Sequence, residues 1–259
     1  MALPVTLPEF YATYVGLELG VVATVFMAVR LIDIVFDPFL GWGMDKTRTR
    51  FGRYRPWMAL ATPMLMLAAL MMFVLVQPGA PAVYLFGWLL FLYLGFSIGT
   101  LGQLGWAAVL APQYDQRSRV YGWWQGFNII GVVLILVLPT VVVQTGIGTY
   151  ADGVRIMGWG IIIALPVTIG LAMVAVPEPV NAGDQPHGGA GAYLALLKMP
   201  TVRKLLIADL LLGVAPGITG SLLFFFFGQI KGYDHSQAGL FMLFYFVAGL
   251  CGEIGRAHV

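Results

Sequence analysis

The feature that most constrains this chain is its series of long apolar runs, broken only by short turn-forming stretches. They fall at roughly 19–42, 57–76, 82–110, 121–144, 154–176, 201–228 and 237–252. A bilayer core is crossed by about 20 mostly apolar residues in a helix. Helices suit that medium because each satisfies its own backbone polar groups where no water can. Charged residues make up only 10% of the chain, against about 25% in soluble domains. The reading is an all-α membrane protein of about seven complete spans. Residues 1–14 are also apolar and read as the second half of a further, partial first span. Residues 1–8 lack the basic stretch that opens a secretory leader. The formal net charge of +2 argues against a nucleic-acid partner and leaves the lipid bilayer as the medium. Cys251 is the only cysteine, which excludes a disulfide frame and a cysteine metal site. His187, His235 and His258 are scattered, so no catalytic constellation stands out and no enzyme activity or cofactor is expected.

The turns and charges order these spans. Gln77-Pro78-Gly79-Ala80-Pro81, Thr145-Gly146-Ile147-Gly148 and Gly232-Tyr233-Asp234 carry ordinary turn chemistry. A polar, Pro- and Gly-bearing stretch from Pro177 to Lys198 reads as a linker. Lysines and arginines are retained in cytoplasmic loops. One set of loops holds Lys46, Arg48, Arg50, Arg53, Arg55, Arg117, Arg119, Lys198, Arg203 and Lys204, and the opposite set holds Arg155 and Lys231. The first set, including the 43–56 loop, the 111–120 loop and the linker, is therefore expected in the cytoplasm. The organisation that follows is a six-helix bundle over 1–176, a cytoplasmic linker over 177–199 and two helices of a second bundle over 200–252. Residues 253–259 break the apolar pattern and read as a foreign tail, of the kind a translated sequencing adapter encodes.

One span is anomalous. Arg30, Asp33 and Asp37 lie within the apolar run that starts near residue 19, spaced i, i+3 and i+7. That spacing puts them on one helical stripe. Each charge facing lipid near the bilayer centre would cost a few kcal/mol or more, so the stripe is expected to face the bundle interior or a wet cavity. Two carboxylates a turn apart can offer oxygens to a small hard cation such as Na⁺. A proton is the other candidate, because burial favours the neutral form of an acid. Asp33 and Asp37 are thus the expected cation ligands, with Arg30 holding them in register when the cation is absent. Pro38 removes a backbone donor and is expected to weaken the helix there.

The charged span runs into Gly41-Trp42-Gly43-Met44-Asp45-Lys46-Thr47-Arg48-Thr49-Arg50-Phe51-Gly52-Arg53-Tyr54-Arg55-Pro56-Trp57. From Asp33 to Trp57 the sequence resembles the signature of the glycoside–pentoside–hexuronide:cation symporters, a branch of the major facilitator superfamily. Residues Trp106 to Arg119 and Arg203 to Gly252 are also similar to that family, so the resemblance extends to about residue 252. It implies a major facilitator-type helical bundle whose halves rock around a midplane site. It implies that Asp33 and Asp37 bind the coupling cation, Na⁺ or H⁺, beside Arg30. It also implies a gating role for Gly41, Asp45, Lys46, Arg48, Arg50, Gly52 and Arg53, with Asp45 and the arginines pairing with neighbours and helix ends in one conformation only.

The solute half of the pattern is altered. Where melibiose-type carriers of the family place an acid on the fourth helix and an arginine on the fifth, this chain has Gly102 and Gln125. Gln103, Trp106, Gln125 and Asn128 are the remaining candidates to line a cavity for a neutral solute. Trp123 and Trp124 fit an interfacial aromatic belt, and Gly95, Gly99 and Gly102 a stripe for close helix packing. The expected function is cation-coupled symport of a sugar or glycoside by alternating access. The alternative is a facilitator-type carrier or exporter of a non-sugar solute. A channel would need a filter, and none is visible in the sequence.

Overall fold

The computed structural model describes residues 7, 8, 10–146, 148–178, 195, 196, 198–226, 230–232, 241, 244 and 248. After a π-helical turn at Tyr11–Val15, six helices are described: α1 (Leu19–Lys46), α2 (Arg55–Ala69), α3 (Ala82–Leu110), α4 (Tyr114–Gln144), α5 (Tyr150–Ala175) and α6 (Pro200–Phe225). A π-helical turn, Leu70–Val74, extends α2. With that extension, α1 to α5 are each long and apolar enough to cross a membrane. The shortest has 20 residues, about 30 Å of helix and so about one bilayer core. Exposed Leu31, Ile34, Val35 and Phe39 on α1, and Leu171 and Val174 on α5, give an outer surface that suits lipid.

The chain divides into two compact units, one running to Ala182 and the other spanning Gly183–Gly252. In the first, α3 packs against α1, α2 and α4, while α5 packs against α2 and α4. The main core joins Val22 and Val29 of α1 to Met72 and Phe73, to Leu85, Leu89 and Leu92 of α3, and to Val154 and Met157 of α5. Phe10 and Tyr11 are buried in the same core. A smaller cluster of Met44, Ala61 and Ile98 closes the other end of α1. In the second unit, α6 occupies the place expected for the 201–228 span. Most of the 237–252 run, and all of 253–259, lie outside the described residues.

Local chemistry sets the helix ends. The last carbonyls of a helix lack intrahelical donors. At the π-helical end of α2, Tyr84 Oη donates to the Met71 carbonyl at 2.6 Å and Tyr11 Oη to that of Met72 at 3.3 Å. Thr149 and Asp152 form a reciprocal capping box at the start of α5. The turn at Gly79, which has φ +84°, donates its N–H to Val15 at 2.8 Å and pins the N-terminal turn to the bundle.

Helix boundaries differ from the sequence reading, most informatively at the end of α1 and the start of α4. Helix α1 continues four residues past 42, to Lys46, and runs through Pro38. With α2 starting at Arg55, the intervening loop shrinks to 47–54. Helix α4 starts at Tyr114 rather than 121, so Arg117 and Arg119 sit in its first turns. Pro112 stops α3, and Asp115 suits the positive end of α4. Arg117 Nε returns to accepting Ala111 O at 3.2 Å. A helix can project past the apolar slab, which hydropathy alone does not register.

The glycines of α3 and α5 allow close approach. A β-carbon on Gly95 would lie 3.2 Å from Met64 Cβ, and one on Gly158 2.7 Å from Phe73 Cβ. Gly158→Val is expected to overpack the α5–α2 contact by about 1–3 kcal/mol. The check is a lower apparent melting temperature of the detergent-purified protein. Gly160→Val, where the added carbon meets nothing within 4 Å, should leave it near wild type.

Candidate functional site

Asp33 lies midway along α1 and its side chain is 6% exposed. An unpaired charge there would be costly, and the bundle supplies partners. Ser97 Oγ of α3 donates to Asp33 Oδ1 at 2.9 Å. Arg30 Nη1 donates to Asp33 Oδ2 at 3.3 Å. The Arg30 guanidinium also lies 5.2 Å from the ring centroid of Tyr93, one turn before Ser97 on α3. Both oxygens of Asp33 are thereby engaged, and the carboxylate is held between two helices.

Asp37 is one turn further along and half-buried. Its Oδ1 is buried and has no hydrogen-bond partner among the described residues. A carboxylate oxygen buried without a donor is expensive, and a small cation or a proton is what would satisfy it. Asp33 and Asp37 therefore fit a hard monovalent cation in charge and donor type. Among the described residues, Arg30 donates to Asp33 and has no hydrogen bond to Asp37. No group of three or more His, Cys, Asp or Glu side chains able to hold a metal ion occurs among the described residues.

The basic loop is folded on α1, α2 and the end of α5. The Arg53 guanidinium donates to the Asp45 carbonyl and lies 3.8 Å from the Asp45 carboxylate. Lys46 Nζ lies 3.8 Å from the ring centroid of Trp42, and Arg50 4.7 Å from that of Phe51. Trp57 Nε1 donates to Thr47 Oγ1 at 2.9 Å, and Thr47 Oγ1 donates to the Gly43 carbonyl at 2.9 Å. Arg48 is exposed. Gly41 has open space where a β-carbon would go, whereas Gly52 has φ +109° and a β-carbon there would collide with the Glu178 carboxylate. The Tyr54 ring packs onto Gly105 of α3. Burial pushes the Tyr54 hydroxyl above its usual range, with Arg53 opposing.

The four solute-cavity candidates differ in burial. Gln103 and Asn128 are exposed and Gln125 is half-buried. Trp106 is buried, with the Arg55 guanidinium 5.5 Å from its ring centroid. Its Nε1 has no partner among the described residues. The sequence reading missed Ser97, Tyr93 and Glu178. Ser97 was detectable as a hydroxyl between Gly95 and Gly99. Glu178 was hidden in what read as plain linker.

Membrane-length helices around a buried intramembrane carboxylate define an integral, multi-pass membrane protein. Residues 1–255 match the family described as MFS/sugar transport protein, and the chain belongs to that family. It is similar to the putative glycoside/cation symporter YagG of Escherichia coli, 42% identical over 52 residues, which is 20% of this chain and 11% of that protein. It is also similar to the lactose permease of Lactobacillus helveticus, 30% identical over 144 residues, covering 51% of this chain and 22% of that one. The lactose permease of Lactobacillus delbrueckii subsp. bulgaricus is 22% identical over 247 residues, covering 88% of this chain and 39% of that one. The chain thus spans well under half the length of these relatives.

Ser97→Ala would leave Asp33 Oδ1 buried without its donor, a loss of about 1–3 kcal/mol. The expected result is a lower apparent melting temperature. An unchanged value would mean that the Ser97–Asp33 bond contributes nothing.

Proposed function

We propose that this chain acts in a secondary active transporter that couples symport of a sugar or glycoside to Na⁺ or H⁺ by alternating access. The observation that carries the reading is Asp37 Oδ1, buried and without a hydrogen-bond partner among the described residues, one turn from a carboxylate whose own oxygens are engaged. Asp33 and Asp37 would hold the cation, which when bound supplies the charge that neutralises the acids. Ser97 and Arg30 fix Asp33, so the protein's own part is to present one immobile and one available carboxylate. Neutralising Asp37 removes a cost that differs between bundle arrangements, which is how a bound ion shifts a conformational equilibrium.

The family, together with the likeness to a putative glycoside/cation symporter and to lactose permeases, supports a sugar or glycoside as solute. Gln103, Trp106, Gln125 and Asn128 are proposed as solute contacts, and the loop from Gly41 to Arg53 as the gate. The basic loops are assigned to the cytoplasm of a bacterial inner membrane from their charge excess. Residues 1–176 and 200–252 are assigned to the two bundles, joined by 177–199. Catalysis has no part in this reading.

The test is uptake of radiolabelled lactose and raffinose into membrane vesicles, with and without an imposed Na⁺ or pH gradient. One gradient is expected to raise uptake roughly 5-fold or more. Asp37→Asn should remove the stimulation. Uptake indifferent to both gradients and to the substitution would refute the coupling site.

A further inference from the structure

We propose that Glu178 is a clasp that fixes the start of the segment leaving α5 to the basic loop, so that this segment, the loop and the end of α1 move as one body. Glu178 lies three residues past α5 and is 9% exposed. Its Oε1 accepts the backbone N–H groups of Arg53 at 2.6 Å and Tyr54 at 2.9 Å, and its Oε2 accepts that of Arg55 at 3.1 Å. These N–H groups open α2, where the first turn has no intrahelical acceptors and the helix dipole is positive. One carboxylate satisfies three successive donors from a position more than 120 residues away in sequence.

Two further features show that the loop is shaped around this group. The Arg55 guanidinium donates to the carbonyl of Val176, the residue that ends α5. Gly52, in a left-handed conformation, occupies a place where a β-carbon would displace the carboxylate. Arg53 then completes the path. Its N–H reaches Glu178 while its side chain reaches Asp45 at the end of α1. The helix that carries Asp33 and Asp37 is thereby tied, through one residue, to the segment that leads out of the first unit. Coupling of that tie to cation binding rests on the reading proposed above, whereas the clasp itself does not.

Limited trypsin digestion of inside-out vesicles carrying the protein tests both. Cleavage after Arg53 reports the clasp, cleavage after Arg119 reports the fold elsewhere, and Pro56 protects the bond after Arg55. Glu178→Gln and Glu178→Ala are expected to raise cleavage after Arg53 roughly tenfold, with cleavage after Arg119 unchanged. Glu178→Asp should fall between these and wild type. Gly52→Ala should raise cleavage similarly, and combining it with Glu178→Ala should add little, because both remove the same contact. Wild-type cleavage rates in Glu178→Gln and Gly52→Ala would overturn the clasp, as would effects of the two positions that simply multiply. Added Na⁺, or a shift in pH, should change wild-type cleavage after Arg53 but not that of Glu178→Gln. If the Glu178 variants release the loop while neither cation changes the wild type, the clasp stands and the cation reading is what fails.

Discussion

The structure depends on how one acid is accommodated midway along an apolar helix. Water is the usual partner of a carboxylate, and a bilayer core supplies none. Asp33 is instead engaged by Ser97 on a neighbouring helix and by Arg30 on its own. The Ser97 bond requires α1 and α3 to approach at a fixed register. The small residues of α3 serve a different contact: Gly95, Gly99 and Gly102 let α2 close on α3. Polar satisfaction against α1 and close packing against α2 are thus both carried by α3.

The fold was legible because the solvent leaves so few choices. Long apolar runs with turn residues between them located every described helix. The boundaries that slipped, at Lys46 and Tyr114, did so where charged residues continue a helix beyond the apolar slab. Hydropathy marks what lipid tolerates, and helix ends are set by capping and proline, which are separate physical events.

The site was legible in part for a similar reason. Charges in a membrane span are conspicuous, so Arg30, Asp33 and Asp37 could be read directly from their spacing. That Arg30 donates to Asp33 could not, since i, i+3 and i, i+7 spacing leaves the side-chain choice open. Ser97 and Tyr93 are common residues whose importance comes from what lies opposite, which one sequence does not show. Glu178 was the least visible. Its three partners are backbone N–H groups, which every non-proline residue carries and which leave no compositional trace. Its one sequence shadow is Gly52, where a side chain is forbidden.

Helix α1 passes through Pro38 without ending. Proline has no N–H, so the carbonyl of Ile34 is denied its usual partner. That gap lies between the turns that carry Asp33 and Asp37. A helix lacking a rung is least stiff at that rung. The compliance of α1 is thus concentrated at the carboxylates, while the loop beyond Lys46 is cross-braced by Arg53, Trp57 and Glu178. Mechanically, the helix is a lever with a soft joint in mid-membrane and a rigid grip at its end.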